Sequence, residues 1–101
     1  MQASEFEKML QKRLTQINKV LGSKAKEYAM NGDRLHNFKI AAIMSQTKPE
    51  KALWGMALKH LVSVTDIING NLPATEEFVN EKVGDLINYL ILLEAVLLEG
   101  K

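Results

Sequence analysis

At 101 residues, with 25% charged side chains and a formal net charge of +1, the chain has the length of one domain and lacks the strong basic excess of a nucleic-acid binder. It contains no cysteine, which excludes disulfides, thiolate nucleophiles and zinc–thiolate centres and suits a reducing cytoplasm. Its apolar residues are mainly Leu, Ile, Ala and Met, a palette that favours helix.

The first predicted element begins at a capping-box pair, Ser4 and Glu7. Phe6, Leu10, Leu14, Ile17, Leu21, Ala25 and Tyr28 then recur at helical spacing, so a helix is expected from about Glu5 to about Tyr28, with a bend or break near Gly22. Asn31-Gly32-Asp33 signals a turn, and Asp33 is the expected N-cap of a short helix from about Arg34 to Ser45. Thr47, Pro49 and Glu50 mark the next start, a long helix ending near Asn69 with Gly70 just beyond it. Pro73 blocks continuation, and Thr75, followed by Glu76 and Glu77, caps a last helix that runs to about Glu99. No strand pattern competes with this reading. The expectation is an all-α, four-helix bundle-like single domain over residues 1–101, with three long helices, one short one, and sequential long helices packed antiparallel.

Two apolar runs, Ile40–Met44 and Tyr89–Leu93, fall short of the about 20 residues a membrane span needs, and residues 1–20 are too polar for a signal peptide. A cytoplasmic protein without a membrane partner is therefore expected. The third and fourth helices are apolar over more than one face, more than a domain of this size can cover. That predicts a homo-oligomer, by default a symmetric dimer. Charge is also uneven along the chain: residues 1–60 carry 11 Lys/Arg against 5 acids, residues 61–101 carry 2 Lys against 7 acids.

The chemistry-bearing positions lie on two helical stripes. Glu81, Asp85 and Asn88 fall at i, i+4 and i+7 on the last helix, and Lys59, Ser63 and Asp66 form the polar stripe of the third, with His60 beside them. If those helices pack antiparallel, Asp66 comes near Glu81 and Asp85. Three gathered carboxylates suit Mg²⁺, a hard cation that prefers oxygen ligands. The alternative is that both stripes are plain solvent faces. A second concentration runs from Lys26 to Phe38, where Arg34 has the geometry to grip a phosphate, His36 and Asn37 are near it, and Tyr28 or Phe38 can stack on a base or simply fill the core.

Glu81-Lys82-Val83-Gly84-Asp85-Leu86-Ile87 resembles the E-E-x-G-D-L-L run on a core helix of MazG-like all-α nucleotide pyrophosphatases. Lys26 to Phe38, with Lys59-His60 and Glu81 to Tyr89, is also similar to small uncharacterised helical proteins of bacteriophages and prophages. The first resemblance implies a helical, oligomeric, Mg²⁺-dependent enzyme that hydrolyses nucleoside triphosphates to monophosphates. It carries over to Asp85 and Glu81 as catalytic residues, while Lys82 stands where the run has its second acid. The enzyme reading thus has Asp66, Glu81 and Asp85 on metal, with Arg34, Lys59, His60, Asn37 and Asn88 toward a nucleotide. The competing reading is a non-enzymatic helical oligomer, an accessory factor that works by binding protein. Nucleic-acid binding through Lys8, Lys12, Arg13, Lys19, Lys24 and Lys26 ranks last, because these residues do not share one helix face.

Overall fold

Caps and breaks divide the chain almost where the residue pattern places them. The computed structural model describes residues 1–23 and 32–99. Four α-helices lie within them: α1 (Ala3–Ile17), α2 (His36–Met44), α3 (Pro49–Ile68) and α4 (Glu76–Glu99). The described residues contain no strand. The all-α expectation therefore holds, and no helix is long and apolar enough to cross a membrane among the described residues.

Helix α1 does not simply bend near Gly22. From Asn18 to Ser23 it widens into a π-helical segment, the kind of local rewinding that relieves a weak point in a helix. The remainder of the expected first helix, with Ala25 and Tyr28, lies outside the described residues. Three expected caps shift. α1 starts two residues early, with the Gln2 carbonyl accepting the Glu5 and Phe6 amides, so Ser4 lies inside the helix. Asp33 caps the turn before α2: its Oδ1 accepts the Leu35 amide at 3.0 Å. Thr47 does not cap α3: the N-cap position falls on Lys48, which makes no side-chain cap bond, and the Thr47 amide reaches back to the Ala42 carbonyl at 2.9 Å. That bond and Gln46 N–H to Ile43 O close a Schellman motif on α2, with Gln46 at φ 54° in the left-handed region normally given to glycine. The end of α3 repeats the motif with the expected glycine, Gly70 at φ 78°, and Asn71 N–H to Asp66 O. Thr75 does cap α4, its Oγ1 accepting the Phe78 amide at 3.1 Å.

The core sits at the α2–α3–α4 end. Leu35, Phe38, Leu53 and Val96 form it, with Met56, Tyr89, Leu92 and Leu93 packed against them. Leu53 is fully buried, and Ala42 and Ala57 let the helices approach closely. His60 meets Asp85 and Tyr89 across the α3–α4 interface, while Leu53 meets Val96 in the core. Rising residue numbers on α3 thus meet falling ones on α4, so the pair is antiparallel as expected. Helix α1 contributes no buried residue. It lies along α4 in parallel, with Lys12 beside Glu76 and Arg13 beside Asn80.

A charged clamp flanks this core. Lys39 Nζ lies 2.7 Å from Asp33 Oδ2 and 2.6 Å from Glu99 Oε1, tying the start of α2 to the end of α4. The Lys39 hydrogen bond, then the Leu35 amide, hold the Asp33 carboxyl below its ordinary 3.8. The Asp33 and Glu99 bonds hold Lys39 above its ordinary 10.5.

Candidate functional site

The polar stripe of α4 is longer than Glu81, Asp85 and Asn88. Glu77 precedes them by one turn, and Asn80 and Gly84 lie between. Together with Arg13, Gln16, Lys19 and Val20 from the first helical stretch they line an open cleft of about 520 Å³. One wall carries carboxylates and the other carries cations. The stripe faces α1, not the polar stripe of α3.

Gly84 is the hinge of this arrangement. A glycine inside a helix costs about 1 kcal/mol relative to alanine, so its place in α4 needs a local reason. The Arg13 side chain supplies one. Its Nη2 donates to the Asn80 carbonyl at 3.1 Å, and the guanidinium lies so close over Gly84 that a Cβ built there would overlap Nη1. The bare backbone gives the guanidinium its bed, and α1 is fixed to α4 by a charge-assisted bond instead of by apolar burial.

The rest of the stripe is engaged locally. Lys82 Nζ lies 3.3 Å from Glu81 Oε1. Asp85 Oδ2 lies 3.5 Å from His60 Nδ1, an ionic contact only when the imidazole is protonated. His60 also stacks on Tyr89, ring centroids 4.8 Å apart and planes at 27°. Asn88 Oδ1 is buried without a hydrogen-bond partner, beside the inner end of the cleft.

The remaining expected site residues are dispersed. Asp66 does not join Glu81 and Asp85: it follows His60 by six residues, about 240° further round the helix, so with His60 turned to α4 it is carried away from the cleft. Its carbonyl serves the Schellman motif after α3. Among the described residues no group of three or more His, Asp and Glu side chains is placed to hold a metal, which corrects the expected three-carboxylate cluster. Lys59 lines a shallow depression facing α2, with Ala41, Ser45 and Gly55. Arg34 lines a separate hollow with Leu21, Ile91 and Ala95. Ala95 is ten residues beyond Asp85, about 15 Å along α4, so Arg34 is not part of the Glu81/Asp85 cleft. Asn37 is exposed on the first turn of α2. Phe38 fills the core and has no face left for a base, and Tyr28 lies outside the described residues. Of the expected nucleotide contacts only Asn88 lines the cleft, with His60 reaching it through Asp85.

Arg13 enters the pattern reading only in the last-ranked nucleic-acid set, not as a residue of this cleft. Its signal is present: it sits at i+3 from Leu10 and i−4 from Ile17, a cation inside an apolar stripe, and its partner is an unexplained mid-helix glycine 71 positions later. No family model, curated protein or solved structure matches this chain.

Proposed function

We propose that this chain is a non-enzymatic helical assembly protein, acting through apolar helix faces that associate with protein, including its own copies. One observation carries the reading. The chain exposes 7367 Å², whereas a compact monomer of its 11.3 kDa mass exposes about 5,700 Å², an excess of about 1,600 Å². The radius of gyration agrees: 15.5 Å against about 13 Å for a compact domain of this length. Eighteen large apolar side chains, sixteen of them on the four α-helices, are solvent-exposed among the described residues, whereas a soluble monomer keeps its contiguous apolar patches small. The test is the mass in solution by sedimentation equilibrium. The reading expects a multiple of 11.3 kDa at micromolar protein, and a monomer at every concentration ends it.

A second reading is favoured by the cleft, where Glu81, Asp85 and Asn88 share one wall: Mg²⁺-dependent nucleotide binding or pyrophosphate hydrolysis. Two carboxylates suffice for Mg²⁺ only when substrate phosphates complete the shell. The third acid of the expected set is turned away, so the side chains of the cleft do not by themselves complete a Mg²⁺ shell. This reading expects a nucleotide with Mg²⁺ to raise the melting temperature by mass action and Asp85→Ala to abolish that rise. A nucleotide panel giving neither hydrolysis nor thermal shift removes it.

A further inference from the structure

Resting on the assembly reading, we infer that a second copy of this chain docks on one face of α3, antiparallel and related by a two-fold axis near Leu61. Trp54, Leu58, Leu61, Thr65 and Ile68 follow one another at spacings of four, three, four and three residues. That is the seam spacing of a helix built to meet another helix. None of these side chains faces the core. Trp54 is 43% exposed, Leu58 42%, Leu61 38% and Ile68 76%, while Leu53 and Ala57, on the adjoining face, are buried against α4 and α2. The seam runs over 15 residues, about 21 Å of helix from first to last.

Nothing on this face resists burial. Between residues 52 and 69 the only charged side chains are Lys59 and Asp66, and helical spacing carries both well round from the seam. Thr65 is its one polar member, and its hydroxyl already donates to the Leu61 carbonyl at 2.9 Å, so covering it strands no donor. Helical spacing also puts Leu90 and Leu97 of α4, 46% and 51% exposed, on the flank of that helix beside the seam, which widens the apolar face.

Two observations make the occupant a second copy. The first is chemistry: Trp54, Leu58, Leu61 and Ile68 offer a partner apolar surface alone, and the surface of matching length and character on this chain is the same face of a second copy. The second is self-complementarity, which a two-fold interface requires. With the axis at Leu61, Trp54 and Ile68 are each seven residues away, so the largest side chain of one copy meets Ile68 of the other. Leu58, three residues before the axis, lies nearest Thr65, which stands four residues after it and so is offset by one residue, about 1.5 Å, and Leu61 meets its own copy on the axis. A parallel pairing sets Trp54 on Trp54 and Thr65 on Thr65, a worse fit at both layers.

The absence of cysteine makes the arrangement directly testable by cross-linking. With Trp54→Cys and Ile68→Cys variants mixed and oxidised by diamide, two thiols lose two electrons to the reagent and form one disulfide. The inference expects the mixed pair to cross-link at least tenfold more than Trp54→Cys alone. Leu61→Glu is expected to sediment as a monomer with unchanged helicity, whereas Leu14→Glu on α1 leaves the oligomer intact. Oligomers that persist in Leu61→Glu, or Trp54→Cys cross-linking to itself as well as to Ile68→Cys, overturn the α3 seam but leave the assembly reading standing. A wild-type chain that is monomeric throughout overturns both. Cross-linking in variants of native helicity decides the matter even if the glutamate variant fails to fold.

Discussion

At the scale of single residues, the most informative pair is Arg13 and Gly84. A glycine in the middle of a helix is usually a liability, and here the missing side chain is the space a guanidinium occupies. Gly84→Ala returns up to about 1 kcal/mol of helix propensity to α4 while displacing the flexible tip of Arg13. The expected outcome is an unchanged or slightly higher melting temperature together with faster proteolysis within α1. A large drop in melting temperature would show that Gly84 accommodates something more rigid than Arg13. Gln46 gives a second prediction. A non-glycine residue in the left-handed region carries about 1–2 kcal/mol of strain, and glycine recovers part of it, so Gln46→Gly should stabilise the protein by about 0.5–1 kcal/mol, read by urea denaturation. The Lys39 clamp predicts a pH effect of defined sign. Asp33 is held below its ordinary 3.8, so its contribution is full above that value and is lost as pH falls through the lowered pKa. Lys39 is held above 10.5, so its contribution is full below that value and lost as pH rises beyond it. Lys39→Met should flatten the melting-temperature profile at both ends, below pH 3.8 and above pH 10.5, with little change in its shape between them.

At the scale of elements, the helices were legible because their apolar period and punctuation agree. Pro49 opens α3, Gly70 closes it and Thr75 caps α4, each in the role its chemistry dictates. What was not legible has physical causes. The Gln46 turn is built by a Schellman motif in which the glycine signal is absent, so Thr47 read as the cap of α3 when it completes the end of α2 and the cap position falls on Lys48. The polar stripe of α4 was visible at i, i+4 and i+7, but its direction was not: periodicity gives the faces of a helix and says nothing about which neighbour each face meets. Asp66 was therefore grouped with Glu81 and Asp85, although the six-residue step from His60 to Asp66 rules that grouping out once His60 is seen against α4. The unequal burial of the helices also has a consequence. Leu53 is fully enclosed, so Leu53→Ala should cost about 2–5 kcal/mol. Helix α1 buries nothing, so its amides should exchange hydrogen far faster than those of α3 and α4 in the isolated chain. Equal protection across all the helices would mean that α1 is held by surface contacts to another molecule.

At the scale of the whole molecule, the balance between core and surface is what the assembly proposal rests on. Six apolar side chains form the buried core among the described residues, a small complement for a chain with 47% hydrophobic residues. The remainder lies on helix faces, above all the outer face of α3. Under the assembly proposal those faces are covered by a second copy, and folding and association are then coupled.

The most direct test of this coupling is urea unfolding of the wild-type chain over a wide range of protein concentration. For a chain whose native state is a dimer, each tenfold increase in concentration adds about 1.4 kcal/mol of apparent stability, and the midpoint should climb accordingly. A midpoint that stays fixed across that range would mean that the exposed faces of α3 and α4 remain bare in the native protein, and it would contradict the account.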